Sequence, residues 1–136
     1  MSEQLRLKQI ADKDPRYKKD AYIFVLEALH YTRQNLNIQG HVTGQQLLEG
    51  IRDLGLERYG AMAKIVFEHW GVKTTLDFGN IVINMVNDKV LNKTSEDSID
   101  DFKDVYDFEE TFVRKYHPDI ENKGRNPRGK KKGRPG

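Results

Sequence analysis

Between residues 41 and 86, apolar positions recur at helical spacing in three consecutive segments. The first segment has an apolar stripe made of Leu47, Leu48, Ile51 and Leu54. Because charged residues occupy the positions between them, this pattern is typical of an amphipathic helix with one buried face. Thr43 precedes the stripe and Gln46 follows three residues later, which predicts a capping box at the start of this helix.

Glycine separates the segments. After Gly60 the second segment is apolar on most sides, which is typical of a short buried helix: Met62, Ala63, Ile65, Val66, Phe67 and Trp70. Gly71 then stands where a left-handed C-terminal residue is needed. Thr74 or Thr75 is expected to cap the third helix, which has a broad apolar face: Leu76, Phe78, Ile81, Val82, Met85, Val86 and Val90. Three short helices with tight joints form a tri-helical core, a unit that helix-turn-helix proteins also use.

Two further helices are predicted before this core. The first is a short N-terminal helix or docking segment with few apolar positions: Leu7, Ile10 and Ala11. Asp14 followed by Pro15 is a typical start of the second, since a capping residue precedes a proline at the first helical position. We expect this longest helix to run to about Leu36. Because residues 21–26 are uncharged, it should be covered on most sides.

The segment that follows the core has two interpretations. A short apolar stretch, a polar loop and an aromatic stretch would give a winged-helix β-hairpin, with strands near 90–93 and 103–107. Aspartate-rich segments make poor strands, so the alternative is an acidic loop that leads to a helix from Phe108 to Tyr116. The two are compatible, and we favour a short hairpin followed by a last helix. The expected fold is mainly α, with a winged-helix-like element.

Length and composition indicate one folded domain with a tail. The chain has 136 residues, of which 32% are charged and 37% hydrophobic, as in a globular protein. Pro118 follows the last aromatic residue, so we place the domain at residues 1–120 and the tail at 121–136. Without cysteine, neither disulfides nor thiolate metal sites are expected. The sequence has no signal-peptide pattern and no apolar run of about 18 residues, and we expect a cytoplasmic protein without a membrane span.

Charge is divided unevenly along the chain. The tail contains one acid and seven basic residues: Lys123, Arg125, Arg128, Lys130, Lys131, Lys132 and Arg134. Its net charge is therefore +6 and, because the whole chain carries +2, the other 120 residues carry −4. Beyond Asn122 the tail has no apolar residue, so it is expected to be disordered. Clustered lysine and arginine bind phosphate backbones by counterion release. The seven residues are thus candidates to contact RNA, ribosomes or DNA.

The end of the tail resembles part of a DNA-binding motif. Lys132-Gly133-Arg134-Pro135 is similar to the centre of an AT-hook, where an extended Gly-Arg-Pro lies in the minor groove of A·T-rich duplex. The match is partial, because Lys131 and Lys132 replace the usual proline and arginine before the glycine.

Several stretches resemble a family of short, uncharacterised bacterial proteins: HVTGQQLLEGIRDLGLERYG, MAKIVFEHWGV, DFGNIV and DFKDVYDFEETF. The similarity covers Tyr17 to Phe112. Since that family has no established activity, the resemblance implies one type of domain and transfers no functional residue.

Acidic residues are frequent near the end of the domain: Glu96, Asp97, Asp100, Asp101, Asp104, Asp107, Glu109 and Glu110. A calcium-binding EF-hand loop needs alternating ligands, a glycine at its sixth position and a glutamate at its twelfth. This run has no glycine and its acids do not alternate, so we interpret it first as a solvated face. The alternative is a surface for a basic protein partner or for the chain's own tail. The protein would then be an interaction adaptor, with nucleic-acid binding by the tail incidental.

No catalytic or cofactor signature is found in the sequence. The four histidines are scattered, and HExxH, a phosphate-binding loop and GxSxG are all missing. Glu27 and His30 lie one helical turn apart, which suits an acid–base couple but more simply a surface hydrogen bond; an enzyme would need both to meet His41. The third helix supplies only Lys89 as a basic residue, unlike a base-reading helix. We therefore expect a non-enzymatic binding protein without metal or cofactor.

Overall fold

The computed structural model describes residues 2–92 and 99–114. These residues form five α-helices: α1 Glu3–Lys13, α2 Lys19–Leu36, α3 Gly44–Tyr59, α4 Ala63–His69 and α5 Thr75–Asn87. They also form 3-10 turns at Gly60–Met62 and Ile99–Phe102 and a π-helical turn at Glu109–Arg114. No strand occurs in this part of the chain. The predicted mainly helical fold class is confirmed.

The predicted winged-helix hairpin is not formed by the residues that the structure describes. The strands were expected near 90–93 and 103–107. Residues 90–92 and 103–107 adopt turns and irregular structure, and residue 93 lies outside the described residues. Asp104 has a left-handed φ of 52°, which is incompatible with a regular strand. The aromatic residues of this segment instead insert singly into the helical core, as Phe102 and Phe108 show. The last helix was expected from Phe108 to Tyr116; its described part is the π-helical turn Glu109–Arg114.

Helix α1 confirms the prediction of an N-terminal helix, and it buries Leu7 and Ile10. Helix α2, however, begins at Lys19, so the predicted start at Asp14–Pro15 is wrong. Asp14 instead follows the last residue of α1, and its backbone N–H donates to the carbonyl of Ile10. Its carboxylate also accepts the backbone N–H of Arg16. Because both contacts favour a turn at this point, the chain bends between the two helices.

The predicted helix caps are confirmed in α3 and α5. The Thr43 side chain accepts the backbone N–H of Gln46, and the Gln46 side chain accepts the backbone N–H of Thr43. Thr74 and Asp77 form the equivalent capping box at the start of α5. Each box satisfies backbone donors that the first helical turn leaves without partners, which fixes where these two helices begin.

The joint between α4 and α5 packs against the turn before α2. Gly71 has a left-handed φ of 94°, as its position after an apolar helix predicts. A Cβ atom on this residue would lie 1.9 Å from the carbonyl oxygen of Arg16. The backbone N–H of Lys18 donates to the carbonyl of Trp70 at 3.0 Å. Only glycine therefore allows the two chain segments to approach this closely.

Helix α4 was expected to be covered on most sides, and this prediction is wrong. Within it only Ala63 and Phe67 are buried, whereas Ile65 is 56% exposed. Met62, in the turn just before the helix, is 55% exposed. The helix spans seven residues at the edge of the bundle, where it packs against α3 and the π-helical turn. One of its sides consequently faces outward.

The core extends beyond the predicted tri-helical unit. Helices α2 and α3 form the most extensive contact, and α5 packs against α2 and the turn Ile99–Phe102. Phe67 is completely buried and lies at the centre of an aromatic cluster. Its ring centroid is 5.3–5.7 Å from those of five neighbours: Phe24, Trp70, Phe78, Phe108 and Phe112. Rings at these distances attract one another beyond their burial alone. The cluster therefore joins α2, α4, α5 and the last described segment.

Candidate functional site

The seven basic residues of the tail lie outside the described residues, as do Glu96 and Asp97. The predicted disorder of residues 121–136 and the proposed boundary at residue 120 lie there too. The assignment of Lys123 to Arg134 as the nucleic-acid contact therefore stays a prediction. The structure describes the charges and contacts of the body, by which we mean residues 1–120, as far as they are described.

Many basic side chains of the body are matched by carboxylates of the body itself. The ion pairs with N–O distances of 2.6–3.2 Å are Lys8–Asp12, Lys13–Asp88, Arg16–Asp14, Arg52–Asp53, Arg58–Glu27 and Lys64–Glu68. Exposed pairs of this kind contribute little to stability. They do neutralise each other, which reduces the positive field that the body offers to a polyanion.

Helix α5 is held against the body by both polar and apolar contacts. Asn80 donates to the hydroxyl of Tyr17 at 3.0 Å, and Asn84 donates to that of Tyr22 at 3.0 Å. Phe78, Ile81 and Met85 are completely buried. The interpretation of this helix as a packed element is therefore confirmed.

A polar cluster that sequence reasoning missed fastens the turn before α2 to α5. The hydroxyl of Tyr17 donates to the carboxylate of Asp77, which also accepts the backbone N–H of Lys73 at 2.8 Å. Burial, and secondarily the hydrogen bond to Asp77, raises the pKa of Tyr17 to about 12. The phenol therefore keeps its proton at neutral pH and acts as a donor. Its complete burial suits a structural role.

Asp14 and Asn84 extend this cluster. The Nδ2 of Asn84 donates to the Asp14 carboxylate at 2.8 Å, and the guanidinium of Arg16 donates to both carboxylate oxygens at 2.8–2.9 Å. The hydrogen bonds from the Arg16 side chain hold the pKa of Asp14 well below its usual range, and the bond from Asn84 acts in the same direction. No spacing in the sequence indicates the contacts that join Tyr17 to Asp77 and Asp14 to Asn84, because these partners lie 60 and 70 positions apart.

The three residues proposed for a catalytic site do not meet. Glu27 accepts a hydrogen bond from Arg58 at 2.6 Å, so its partner is an arginine rather than His30. Glu27 and His30 line a shallow depression together with Glu57. His41 lines a different groove, to which neither Glu27 nor His30 contributes. The acid–base arrangement considered from the sequence is therefore not assembled.

The acidic segment is held firmly where the structure describes it. The side chains of Asp100, Asp104 and Asp107 are exposed. Between them the hydroxyl of Tyr106 donates to the carbonyl of Leu48 at 2.6 Å, and the backbone N–H of Val105 donates to the hydroxyl of Thr75 at 3.1 Å. These contacts, with three buried phenylalanines at 102, 108 and 112, fix the backbone that displays the carboxylates.

A groove of about 560 Å³ lies between α2, α3 and α5. Its walls combine polar residues, such as Gln39 and Asn92, with apolar ones: Leu29, Leu47, Val82, Val86, Val90 and Phe102. Arg33 and His41 also line it, whereas no aspartate or glutamate does among the described residues. The Nε of Arg33 donates to the carbonyl of Gly40 at 3.2 Å, which ties the end of α2 to the loop before α3. Sequence reasoning missed this groove, because its residues come from five separate segments between positions 29 and 102.

Comparison with protein-family models, with curated proteins and with solved structures gives no match. The resemblance to uncharacterised bacterial proteins therefore stays a prediction. None of the described helices is long and apolar enough to cross a membrane. In the same part of the chain, no three histidine, aspartate or glutamate side chains are grouped so that they could hold a metal ion.

Proposed function

We propose that this protein is a non-enzymatic binding protein that contacts RNA, ribosomes or DNA through the basic residues of its tail. The observation that carries the proposal is the division of charge, with +6 on residues 121–136 and −4 on the rest of the chain. Phosphate backbones attract such clusters strongly and without regard to sequence. The glycines and prolines among the basic residues suit an extended segment that follows a backbone.

The body supports this proposal by what it presents. Its ion pairs occupy cations such as Lys13, Arg58 and Lys64 with nearby carboxylates. Helix α5, the only candidate for insertion into a groove of DNA that the sequence suggested, packs against α2 and the turn Ile99–Phe102 and contains no lysine or arginine. Attraction to a polyanion therefore falls to the tail, and the body contributes shape and net negative charge.

The test is a salt titration of binding to a single-stranded RNA and to a DNA duplex. If all seven cations contact phosphates of the duplex, log Kd should change with log salt concentration with a slope of about 6 in magnitude. A variant with all seven residues changed to glutamine should lose this binding. A variant that carries the same tail residues in shuffled order should retain it, because only charge density matters.

Two outcomes of that experiment would contradict the proposal. The glutamine variant binding as tightly as the natural chain would place the contact in the body. A slope near zero would show that phosphate charge is not what the protein recognises. Preference for A·T-rich duplex that disappears in Arg134→Lys would instead identify the AT-hook mode, since that variant preserves the charge.

The second candidate function is an adaptor that binds a basic protein through the acidic face. It is favoured by the fixed backbone that displays Asp100, Asp104 and Asp107, which the contacts of Tyr106 and Val105 hold in place. After nuclease treatment, a purified stoichiometric partner should be lost when these three residues are changed to asparagine. A control variant with Asp12, Asp20 and Glu57 changed to amides should keep it. If both variants lost the partner equally, binding would be shown to depend only on net charge and not on the acidic face.

A further inference from the structure

We propose that residues 115–120, which directly follow the described part of the chain, pack with Tyr116 and Ile120 over an exposed patch made of Met62, Ile65 and Val113. The inference does not depend on the nucleic-acid binding proposed for the tail. It determines where the basic tail leaves the body, because the first cation of the tail follows this segment within three positions.

The exposed patch combines three apolar side chains at one edge of the bundle. Met62, Ile65 and Val113 are each between 43% and 56% exposed. Met62 and Ile65 lie three positions apart on a helical path, so they share one side of it. The turn Gly60–Met62 and α4 both pack against the π-helical turn that contains Val113. Because apolar surface is stabilised when it leaves water, the patch favours an apolar cover.

The size of the patch favours a short segment of the same chain over a second copy of the protein. A stable association of two proteins buries roughly 800 Å² on each partner. Three side chains that are each about half exposed leave much less apolar surface uncovered than that. A segment of the same chain needs no such area, because its covalent connection has already removed most of the translational freedom that a separate partner loses on binding.

Few hydrophobic side chains outside the described residues could cover the patch. They are Met1, Tyr116 and Ile120. Residues 93–98 contain no hydrophobic residue, and none follows Ile120. Met1 precedes α1, which packs against α2 and α5. Tyr116 and Ile120 are therefore the residues whose place in the chain suits the patch.

The segment begins beside the patch and is long enough to cross it. Val113 belongs to the patch and is the last described residue but one. Tyr116 follows three positions later, so one further helical turn places its ring on the same side as Val113. Pro118 ends such a turn, because it has no backbone N–H to donate. Since six residues span at most about 20 Å, the chain can then bend so that Ile120 reaches Ile65.

The first test uses the methyl signals of the methionines in NMR spectra of the full-length protein. The chain has three methionines, of which Met62 lies in the patch and Met85 is completely buried. The ring of Tyr116 above Met62 should shift the methyl signal of Met62 upfield. Tyr116→Ser should return this signal to the position of a methionine in water, whereas Tyr116→Phe should leave it in place. An unchanged Met85 signal in both variants shows that the core is intact.

The second test locates the end of the segment by crosslinking. Because the chain has no cysteine, two can be introduced in the full-length protein and joined with a short bismaleimide at low protein concentration. Ala61→Cys/Asp119→Cys should be crosslinked within one molecule. Arg6→Cys/Asp119→Cys should not, since Arg6 is exposed on α1, at another part of the bundle. If Tyr116→Ser also shifts Met85, the two cysteine pairs decide.

Three outcomes would overturn the proposal. The first is a Met62 signal that does not move in Tyr116→Ser, and the second is equal crosslinking of the two cysteine pairs. The third is a Met62 signal that shifts with protein concentration while the mass in ultracentrifugation doubles, which would place a second copy on the patch. The tail variant with seven glutamines should keep the Met62 signal of the natural chain, so failure of this proposal and failure of the tail proposal are distinguishable.

Discussion

Gly71 shows how much a single residue can determine in this fold. Its left-handed φ of 94° ends the α4 segment, and the missing side chain lets the carbonyl oxygen of Arg16 approach. The same contact sets where the turn before α2 lies, because Lys18 donates to the carbonyl of the adjacent Trp70. Loss of this approach would thus separate two segments that are more than 50 residues apart in the chain.

We expect Gly71→Ala to lower the free energy of unfolding by more than about 2 kcal/mol, since a strained φ and a steric clash add up. Gly40→Ala is the matched control, because nothing lies within 4 Å of a Cβ atom at Gly40. It should change stability by less than about 0.5 kcal/mol. Urea unfolding of the two variants measures the difference, and similar midpoints would contradict this account of Gly71.

Asp14 makes stability depend on acid pH. Its pKa in the folded protein lies below the unfolded value of about 3.8, so the folded state binds fewer protons. The stabilisation by Asp14 is therefore complete above pH 4 to 5 and is lost as the pH falls below 3.8 towards the folded value. Asp14→Asn should cost about 1 kcal/mol at pH 7 and progressively less below pH 4.

Urea midpoints of the natural chain and of Asp14→Asn between pH 7 and 2 test this pH dependence. Asp12→Asn serves as the control, because Asp12 is 68% exposed in its pair with Lys8. That variant should differ from the natural chain by less than about 0.5 kcal/mol at every pH. A constant gap between Asp14→Asn and the natural chain would show that Asp14 acts through packing rather than through its charge.

At the scale of elements, the contact of α2 with α3 depends on a close fit between Thr32 and Gly50. A Cβ atom at Gly50 would lie 1.8 Å from the hydroxyl oxygen of Thr32, which donates to the carbonyl of Ala28 at 2.8 Å. Thr32 is one of the buried polar residues, and its hydrogen bond is made within its own helix. The two helices can therefore approach closely at this point without leaving a polar atom unpaired.

Gly50→Ala should destabilise the protein by about 1 kcal/mol, because overpacking outweighs the gain in helix propensity. The double variant Thr32→Ala/Gly50→Ala should recover at least that amount, since removing the hydroxyl makes room for the new methyl group. A double-mutant cycle in urea measures the coupling. Additive effects of the two changes would contradict direct contact as the cause.

Element positions could be predicted where the signal was local. The Thr43 capping box depends on residues three positions apart, and it was predicted correctly. The left-handed conformation of Gly71 was also predicted correctly, because it depends only on the position of this glycine after an apolar segment. The start of α2 was wrongly predicted at Asp14–Pro15, because a residue that can cap the start of a helix can equally follow the end of one helix and begin a turn. The hairpin was wrongly predicted because spaced aromatic residues look alike whether they alternate along a strand or insert singly into a core, as Phe102 and Phe108 do.

At the scale of the whole molecule, the division of charge between tail and body could be predicted from the sequence, but the groove between α2, α3 and α5 could not. The split between tail and body follows from counting residues. The groove requires Leu29, Val86 and Phe102 to meet, which only the packing of α2, α5 and the segment after α5 achieves. Periodicity identified these residues as apolar, but it could not show that part of their surface would remain uncovered beside Arg33.

The body should fold in the same way without the charges of its tail. The 23 buried apolar side chains of the described core lie between Leu7 and Phe112, and the sequence of residues 121–136 contains no hydrophobic residue that could add to them. We therefore expect the variant with seven glutamines to melt within about 2 °C of the natural chain, even though its binding to RNA is lost. If the melting temperature of this variant in low salt were more than about 5 °C lower than that of the natural chain, the tail would be shown to bind the acidic body.

Trp70 is the only tryptophan of the chain and it is buried beside Phe24, Tyr59 and Phe67. Its indole fluorescence therefore reports on one defined place. Because Phe67 also touches Phe108 and Phe112, detachment of the last described segment would loosen the surroundings of the indole. The emission spectrum should thus shift to the red before the helices melt, and an optical signal already built into the protein would distinguish local opening from global unfolding.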